Sequence, residues 1–410
     1  MPSANGPAST PLDQPLATFS VGIKDNIEVA GMPCSCGTPS LRGYVPRFDA
    51  PAVARLRAAG AGIVGKTNMH ELAYGITSNN ATFGPVRNAF DPSCFAGGSS
   101  GGTAAAIASG AVRAGLGTDT GGSSRIPAAL NGIVGFRPSV GRYPMDGVAR
   151  ISPTRDVIGP MGRNVADVAL LDLILTGSAG MQLPTIDLRG LRLALPRQHF
   201  QENLHTDVRT VLESVVARLS DAGVVLVDAD LPNIAALNAA VSLPVVIHET
   251  KGALQCFLQE AGINLTVEEL HAAIASPDVK SLVGLSLSEH FSNEAYMLAI
   301  EYDRPRLQQA YRDFFDAHRI EGILFPTTPL PACPIEGSDE TVSLNGGRVP
   351  TFETFIRNTD PASNAGIPAI SLPAGFSSKR LPLGIELDAP AGSDRRLLAI
   401  SAAIEVVLNN

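Results

Sequence analysis

The first half of the chain alternates between strand-like and helix-like patterns of apolar residues. Phe19, Val21 and Ile23 occupy every second position, which predicts a strand and a turn over 17–29. The patterns that follow predict a helix over 49–59 capped by Asp49, a buried strand over 61–65, a capped helix over 67–73, a helix over 103–111, a strand over 113–117 and a helix over 125–130. Such alternation favours a mixed or parallel sheet covered by helices.

The second half continues this pattern and adds a long helical stretch. Its periodicity predicts an amphipathic helix over 165–175, a strand over 191–196, a helix over 205–222, strands over 224–227, 322–326, 369–373 and 383–387, and predominantly helical structure over 235–320. We expect the helical stretch to form a cap inserted over the sheet. Because no repeat or linker divides the chain, we predict one α/β domain over 17–410, with a mixed, twisted central sheet and helices on both faces.

Composition narrows the possible partners and the compartment. The 410 residues are 45% hydrophobic and carry a formal net charge of −8, which argues against a nucleic-acid partner because phosphate binding needs a basic face. No apolar run reaches the length of about 20 residues that a membrane span needs. Residues 1–16 are rich in Pro, Ala and Ser, which predicts disorder, and they lack the pattern of a secretory signal. We therefore expect a cytoplasmic protein.

The five cysteines do not form a recognisable framework. They are odd in number and scattered, and Cys34 and Cys36 are one residue too close for a CxxC pair. No histidine lies near them in the sequence, so a zinc site is not indicated. We expect reduced thiols and no metal.

Two stretches rich in serine and glycine, 97–103 and 117–125, are the most informative feature of the sequence. Small residues let the backbone approach a substrate closely and direct several N–H groups at one point. Each stretch also supplies serine hydroxyls, among them Ser99 and Ser123. Together they predict a site for an anion or an electrophile.

A serine nucleophile needs a base, and the sequence leaves its identity open. Residues 97–101 fit the G-x-S-x-G elbow around Ser99, but 88–93 are loop-like where an elbow needs a strand, and no histidine is suitably placed. Lysine is the alternative base, and it must be neutral. Lowering its pKa from about 10.4 to about 7 takes roughly 4–5 kcal/mol. Lys24 and Lys66 both lie in apolar strand–turn settings, and the residues alone do not choose between them.

The order and spacing of several motifs resemble the amidase signature family of serine hydrolases. The motifs lie at 23–27, 65–68, 97–103, 117–125, 132–139, 159–161, 325–329 and 364–369, and the resemblance covers nearly all of 18–405. It implies that Lys24 is the catalytic base, that Ser99 bridges from a cis peptide bond and that Ser123 is the nucleophile. It leaves Lys66 structural.

The resemblance also implies an oxyanion hole and a mechanism. The hole consists of the backbone N–H groups of Thr120, Gly121, Gly122 and Ser123, and we interpret Asp119 and Arg125 as a structural ion pair that flanks this turn. Neutral Lys24 would draw a proton from Ser123 through Ser99 while Ser123 attacks an amide carbonyl. An acyl-enzyme would form and be hydrolysed without a metal or cofactor.

Residues 70–80 and 392–398 are most similar to the indoleacetamide and mandelamide hydrolase branch of that family. This implies a small aryl or arylacetamide-type primary amide as substrate, with ammonia released. The expected pocket residues are Tyr74, Ile76, Thr77, Ile126 and Ile151.

Two other functions stay open at this point: the glutaminase subunit of a tRNA-dependent amidotransferase, and a catalytically silent homologue. Family members carry several dozen residues of helix before the lysine motif. In this sequence only 23 residues of any kind precede Lys24. Because those helices sometimes contribute dimer contacts in the family, the sequence leaves the oligomeric state open, and a homodimer is one of its possible forms.

Overall fold

A computed structural model describes residues 14–178, 182–288 and 290–409. Its strands are β1 (Ser20–Lys24), β2 (Gly62–Thr67), β3 (Asn79–Asn80), β4 (Gly84–Pro85), β5 (Ala114–Asp119), β6 (Val134–Arg137), β7 (Val157–Gly162), β8 (Arg192–Ala194), β9 (Val225–Val227), β10 (Gly322–Pro326), β11 (Thr341–Leu344), β12 (Gly347–Pro350), β13 (Ala369–Phe376) and β14 (Pro382–Asp388).

Helices surround these strands. They are α1 (Pro51–Ala58), α2 (Gly101–Ala108), α3 (Arg125–Asn131), α4 (Val165–Leu175), α5 (Thr206–Asp221), α6 (Ile234–Glu260), α7 (Val267–Ala273), α8 (Pro277–Leu287), α9 (Asn293–Leu298), α10 (Arg304–His318), α11 (Thr351–Ile356), α12 (Asp360–Ala365) and α13 (Asp394–Asn409). Short 3₁₀ segments lie at Pro39–Leu41 and Glu71–Ala73, and a π-helical turn at Ala299–Asp303 joins α9 to α10. None of the helices in the described ranges has the length and apolar content to cross a membrane.

Ten strands of the described chain form one mixed sheet in the order β2-β1-β5-β7-β6-β13-β14-β10-β8-β9. The strands at both ends of the sheet pair in parallel, as β2 with β1 and β8 with β9 do. The central pairs from β5 to β10 are antiparallel. The predicted α/β class with a mixed central sheet is confirmed.

Neighbouring residues of β6 show that helices cover both faces of the sheet. Val134 and Phe136 pack in one apolar cluster with Val168 of α4 and Leu397 of α13. Gly135 lies between them and points the other way, because side chains alternate along a strand. On that face α3 approaches so closely that a Cβ on Gly135 would lie 2.6 Å from the Cβ of Ala128.

Several predicted elements differ from the structure for reasons that depend on tertiary context. The strand predicted as buried is β2 at the edge of the sheet, where Val64 is 60% exposed. The helix predicted over 67–73 is only a 3₁₀ turn, because Leu72 and Ala73 adopt left-handed φ angles of +50° and +64°. Asp49 does not cap α1, since its Oδ1 accepts the N–H of Ala30 at 2.8 Å.

Two further expectations are corrected by burial. Helix α4 lies between the sheet and other helices and is buried on most sides, so it is not amphipathic. Of the segment 1–16 that was expected to be disordered, 1–13 lie outside the described residues. Leu16, however, is fully buried, and its N–H donates to Ala59 O at 2.9 Å. The described fold therefore includes residues before position 17.

We expect Gly135→Ala to destabilise the protein by about 1–3 kcal/mol, because the new methyl group would lie 2.5 Å from Ser124 O and overpack the α3–β6 contact. Gly65→Ala on edge strand β2 is the matched control, because nothing lies within 4 Å of its Cβ position. Urea unfolding midpoints measure both effects. Equal midpoints for the two variants would contradict the close packing of α3 on the sheet.

Candidate active site

Lys24 ends β1 and is fully buried beside two hydroxyl groups. Its Nζ donates to Ser99 Oγ and to Thr118 Oγ1, each at 2.7 Å. Asn26 Nδ2 also donates to Thr118 Oγ1, at 3.2 Å, which fixes that hydroxyl. Burial lowers the pKa of Lys24 to about 7, although nearby Asp119 and Asp156 act in the opposite direction. The amine is therefore available in its neutral form near neutral pH.

Lys66, the other lysine left open by the sequence, lies elsewhere. Its Nζ is 3.2 Å from Asp25 Oδ1 and donates to Pro33 O at 3.3 Å. These contacts hold the turn after β1 against edge strand β2. The structure thus brings Lys24, and not Lys66, to Ser99.

Ser99 lies immediately before α2, on a backbone that glycines allow to pack tightly. The peptide bond between Gly98 and Ser99 is cis. The carbonyl group of Ser99 accepts the His70 N–H at 3.1 Å and the Ser78 hydroxyl at 3.4 Å. A Cβ on Gly101 would lie 2.5 Å from Ser78 Oγ, so a larger residue does not fit there.

The turn from Asp119 to Ser123 has every carbonyl group occupied. The donors to these carbonyls are, in order along the turn, Arg137 Nη1 at 2.7 Å, Arg155 Nη2 at 3.2 Å, Thr359 Oγ1 at 2.6 Å, Ile126 N at 2.8 Å and Ser100 N at 3.1 Å. These bonds fix the orientation of the peptide groups. The last one joins the turn directly to the Ser99 segment.

The N–H groups of the same turn divide into two sets. Gly122 N–H donates to Asp119 Oδ1 at 2.9 Å, so this predicted oxyanion donor is already engaged within the turn. The N–H groups of Thr120, Gly121 and Ser123 have no acceptor among the described residues. These three residues line a cavity, and Gly122 does not. Of the four predicted donors, three therefore have a free N–H group at the cavity, and their role in binding an oxyanion stays a prediction.

Asp119 is the fully buried centre of an ionic network. Arg125 donates to both of its carboxylate oxygens, at 3.0 and 3.1 Å, as the predicted ion pair requires. Arg137 also donates to Oδ1, at 3.0 Å, a contact that no motif predicted. Burial alone would raise the pKa of Asp119, but the two guanidinium groups hold it well below its usual range. Arg125 also binds Glu386 of β14.

Ser123 opens onto a cavity of about 440 Å³. Of the predicted pocket residues, Tyr74, Ile76 and Ile151 line it. Thr77 and Ile126 do not, which corrects two expectations. Thr77 Oγ1 faces the His70 ring at 3.4 Å, and Ile126 packs in the apolar cluster behind the turn.

Most of the cavity wall could not be found from sequence, because it comes from helices distant along the chain. Its apolar members include Val246, Ile247, Leu282, Leu285, Phe291, Phe352 and Ile356. Polar side chains also line it, among them Arg155, His199, Asn238, Arg357 and Asp360. Within the described ranges, no group of three or more His, Cys, Asp or Glu side chains could hold a metal ion.

Two adjacent side chains fasten the start of α8 to the loop that supports Ser99. The His70 ring accepts the Ser78 N–H through Nδ1 at 3.1 Å, and its Nε2 lies 2.9 Å from Asp278 Oδ2. Buried Glu71 accepts the Ser276 N–H at 2.7 Å. We call this set the α8 clamp. It fixes one wall of the cavity relative to Ser99 and Ser123.

Comparison with known proteins gives a consistent family assignment. The family model described as Amidase matches residues 4–398. The chain is 46% identical over 388 residues to an indoleacetamide hydrolase from Agrobacterium vitis, covering 94% of this chain and 83% of the relative. It is 42% identical to a mandelamide hydrolase from Pseudomonas putida, covering 96% and 79% of the two chains. A crystal structure of an amidase superimposes with a TM-score of 0.84 at 34% identity, covering 97% and 86%.

We expect Asp119→Asn to cost about 3–5 kcal/mol in stability, because it leaves buried Arg125 and Arg137 short of a counter-charge. The control is Asp187→Asn, which alters an exposed pair with Arg189 and should leave stability unchanged. Thermal unfolding of both variants measures the difference. A wild-type midpoint for Asp119→Asn would show that the carboxylate does not organise this turn.

Proposed function

The chain belongs to the amidase family, and we propose that it hydrolyses a small arylacetamide-type primary amide to the carboxylic acid and ammonia. Its class, an enzyme acting on amide C–N bonds, follows from the family and from its relatives. The observation that carries the proposed mechanism is the buried Lys24 amine, 2.7 Å from Ser99 Oγ. The backbone N–H of the next residue, Ser100, donates to Ser123 O at 3.1 Å, and Ser123 lines the cavity.

In the proposed acylation step, Ser123 Oγ attacks the amide carbonyl carbon. Its proton passes to Ser99 Oγ while the Ser99 proton passes to neutral Lys24. Ser99 then donates a proton to the amide nitrogen as the C–N bond breaks, and Lys24 replaces it. Ammonia leaves, Ser123 stays esterified, and a water molecule hydrolyses the ester by the same proton route.

We assign the developing oxyanion to the N–H groups of Thr120, Gly121 and Ser123. Removing one such donor typically costs about 3–4 kcal/mol in the transition state. The hydrogen bonds on the carbonyl side of the turn support this assignment, because they hold the N–H groups in place before substrate arrives. Preorganisation of this kind is what makes an oxyanion hole effective.

The size and lining of the cavity favour a substrate with an aromatic acyl group. A volume of about 440 Å³ with largely apolar sides suits a mono- or bicyclic ring. Two relatives are named for amides with an aromatic ring, indoleacetamide and mandelamide. We propose the same class of substrate for this chain.

The alternative, the glutaminase subunit of a tRNA-dependent amidotransferase, is less well supported. Glutamine carries both an ammonium and a carboxylate group, whereas much of the wall is apolar and two of its buried charges, Arg155 and Asp360, bind each other. A panel of arylacetamides and glutamine with ammonia detection separates the two functions. Release of ammonia from glutamine alone would favour the alternative.

Small-molecule amides are the partners that we propose, and the compartment that we favour is the cytoplasm. All five cysteines are free thiols, which suits a reducing environment. The homodimer stays a prediction from the sequence.

We predict that Ser123→Ala and Lys24→Ala each lower kcat by more than about 10³-fold, because one lacks the nucleophile and the other the proton acceptor. Lys66→Ala is the matched control and should retain most of the activity, since Lys66 contacts neither serine. Ammonia release from an arylacetamide by folded protein measures all three. Equal loss in Lys24→Ala and Lys66→Ala would contradict the assigned roles.

We also predict that kcat/KM rises with pH and levels off above about pH 7. Below the Lys24 pKa of about 7 the amine is protonated and has no lone pair, so activity should fall about tenfold per pH unit. Because Asp156 raises this pKa, Asp156→Asn should move the acid limb to lower pH. An acid limb that Asp156→Asn leaves in place would point to another titrating group.

A further inference from the structure

His199 lines the same cavity as Ser123, and no role has yet been assigned to it. Its backbone φ of +67° is in the left-handed region, which is uncommon for residues other than glycine and is often found at functional sites. Its ring contacts Phe200 edge to face, with centroids 5.1 Å apart. Backbone and ring are therefore held in one defined orientation.

A single hydrogen bond sets which ring nitrogen of His199 carries the proton. Nε2 lies 3.0 Å from the carbonyl oxygen of Arg357. Because a carbonyl oxygen only accepts, Nε2 must carry hydrogen. Burial, aided by the Arg357 charge, lowers the pKa of His199, so the ring is neutral near pH 7. Nδ1 then has a free lone pair, and no donor among the described residues binds it.

The other buried side-chain acceptors of the cavity are engaged, and the groups without a partner, such as Arg357 Nη2, are donors. Asp360 accepts Arg155 Nη2 at 2.7 Å and Asn238 Nδ2 at 2.9 Å. Asn238 Oδ1 in turn accepts Asn364 Nδ2 at 2.6 Å. Glu353 and His290 also line the cavity, but both are exposed to solvent. The most preorganised acceptor left for a ligand is therefore His199 Nδ1.

We propose that His199 Nδ1 accepts a hydrogen bond from an N–H or O–H group on the acyl part of the substrate. The preferred amides then carry such a donor in addition to the scissile carboxamide. This inference rests on the proposed arylacetamide hydrolysis. The names of the relatives fit it, since indoleacetamide has a ring N–H and mandelamide has an α-hydroxyl group.

A matched pair of substrates tests the inference without changing shape. In 1-benzofuran-3-acetamide, an oxygen atom replaces the ring N–H of indole-3-acetamide. Wild-type enzyme should prefer the indole compound in kcat/KM on the order of tenfold, because the benzofuran leaves Nδ1 without a donor. We expect this difference in kcat/KM to come mainly from a lower KM for the indole compound. Mandelamide against phenylacetamide makes the same comparison for a donor on the α-carbon and shows which donor position His199 serves.

Two variants assign the preference to a residue. In His199→Leu the ratio between the paired substrates should fall to about one, whereas His199→Gln, whose amide oxygen accepts, should retain part of it. His290→Leu is the matched control and should keep the wild-type ratio, because His290 is exposed and no hydrogen bond from the described residues fixes its tautomer.

The possible failures are distinguishable. No hydrolysis of any arylacetamide by wild-type enzyme would overturn the proposed function itself. Hydrolysis with a ratio near one for both substrate pairs would overturn only the inference. So would an unchanged ratio in His199→Leu, or a collapse in His290→Leu alone. If His199→Leu does not fold, the wild-type ratios and His199→Gln still decide.

Discussion

Asp119 is a carboxylate without access to water, and the segment that presents Ser123 is folded around it. Its two oxygens bind two guanidinium groups and two backbone N–H groups, so the charge is neutralised only when distant segments meet. Arg125 reaches on to Glu386 of β14, and Arg137 comes from β6. An uncompensated buried charge is costly, which makes correct assembly of the central sheet a condition for a stable turn.

Burial disfavours the charged form of Lys24 as well, but here no opposite charge in contact offsets the effect. This amine has hydroxyl partners and contacts no carboxylate of the described residues, so loss of water favours its neutral form. Asp119 and Asp156 lie near enough to limit the shift, and the pKa settles at about 7. One dry region thus keeps an acid ionised at the turn and a base neutral at the end of β1, because each has different immediate neighbours.

Features that depend on residue type and order could be predicted from the sequence. Features that depend on contacts between distant segments of the folded chain could not. The motifs singled out Lys24 and Ser99, which the fold brings to 2.7 Å, and the alternating patterns predicted the α/β class. The exposure of β2 follows from its place in the strand order, which no local pattern encodes. The engagement of Gly122 N–H depends on a carboxylate that folds back over the turn. The cavity wall escaped prediction because α6 and α8 meet the turn only in the folded chain.

The α8 clamp has a consequence for how such an enzyme diversifies. Lys24 ends β1 and Ser123 lies in the turn after β5, whereas much of the cavity wall comes from α6 and α8, and the α8 clamp holds the start of α8 against the loop that supports Ser99. Wall residues such as Leu282 and Leu285 can therefore be exchanged without disturbing the ionic network at Asp119. Natural drift or a mutant library restricted to those walls would explore new amides on an unaltered catalytic frame.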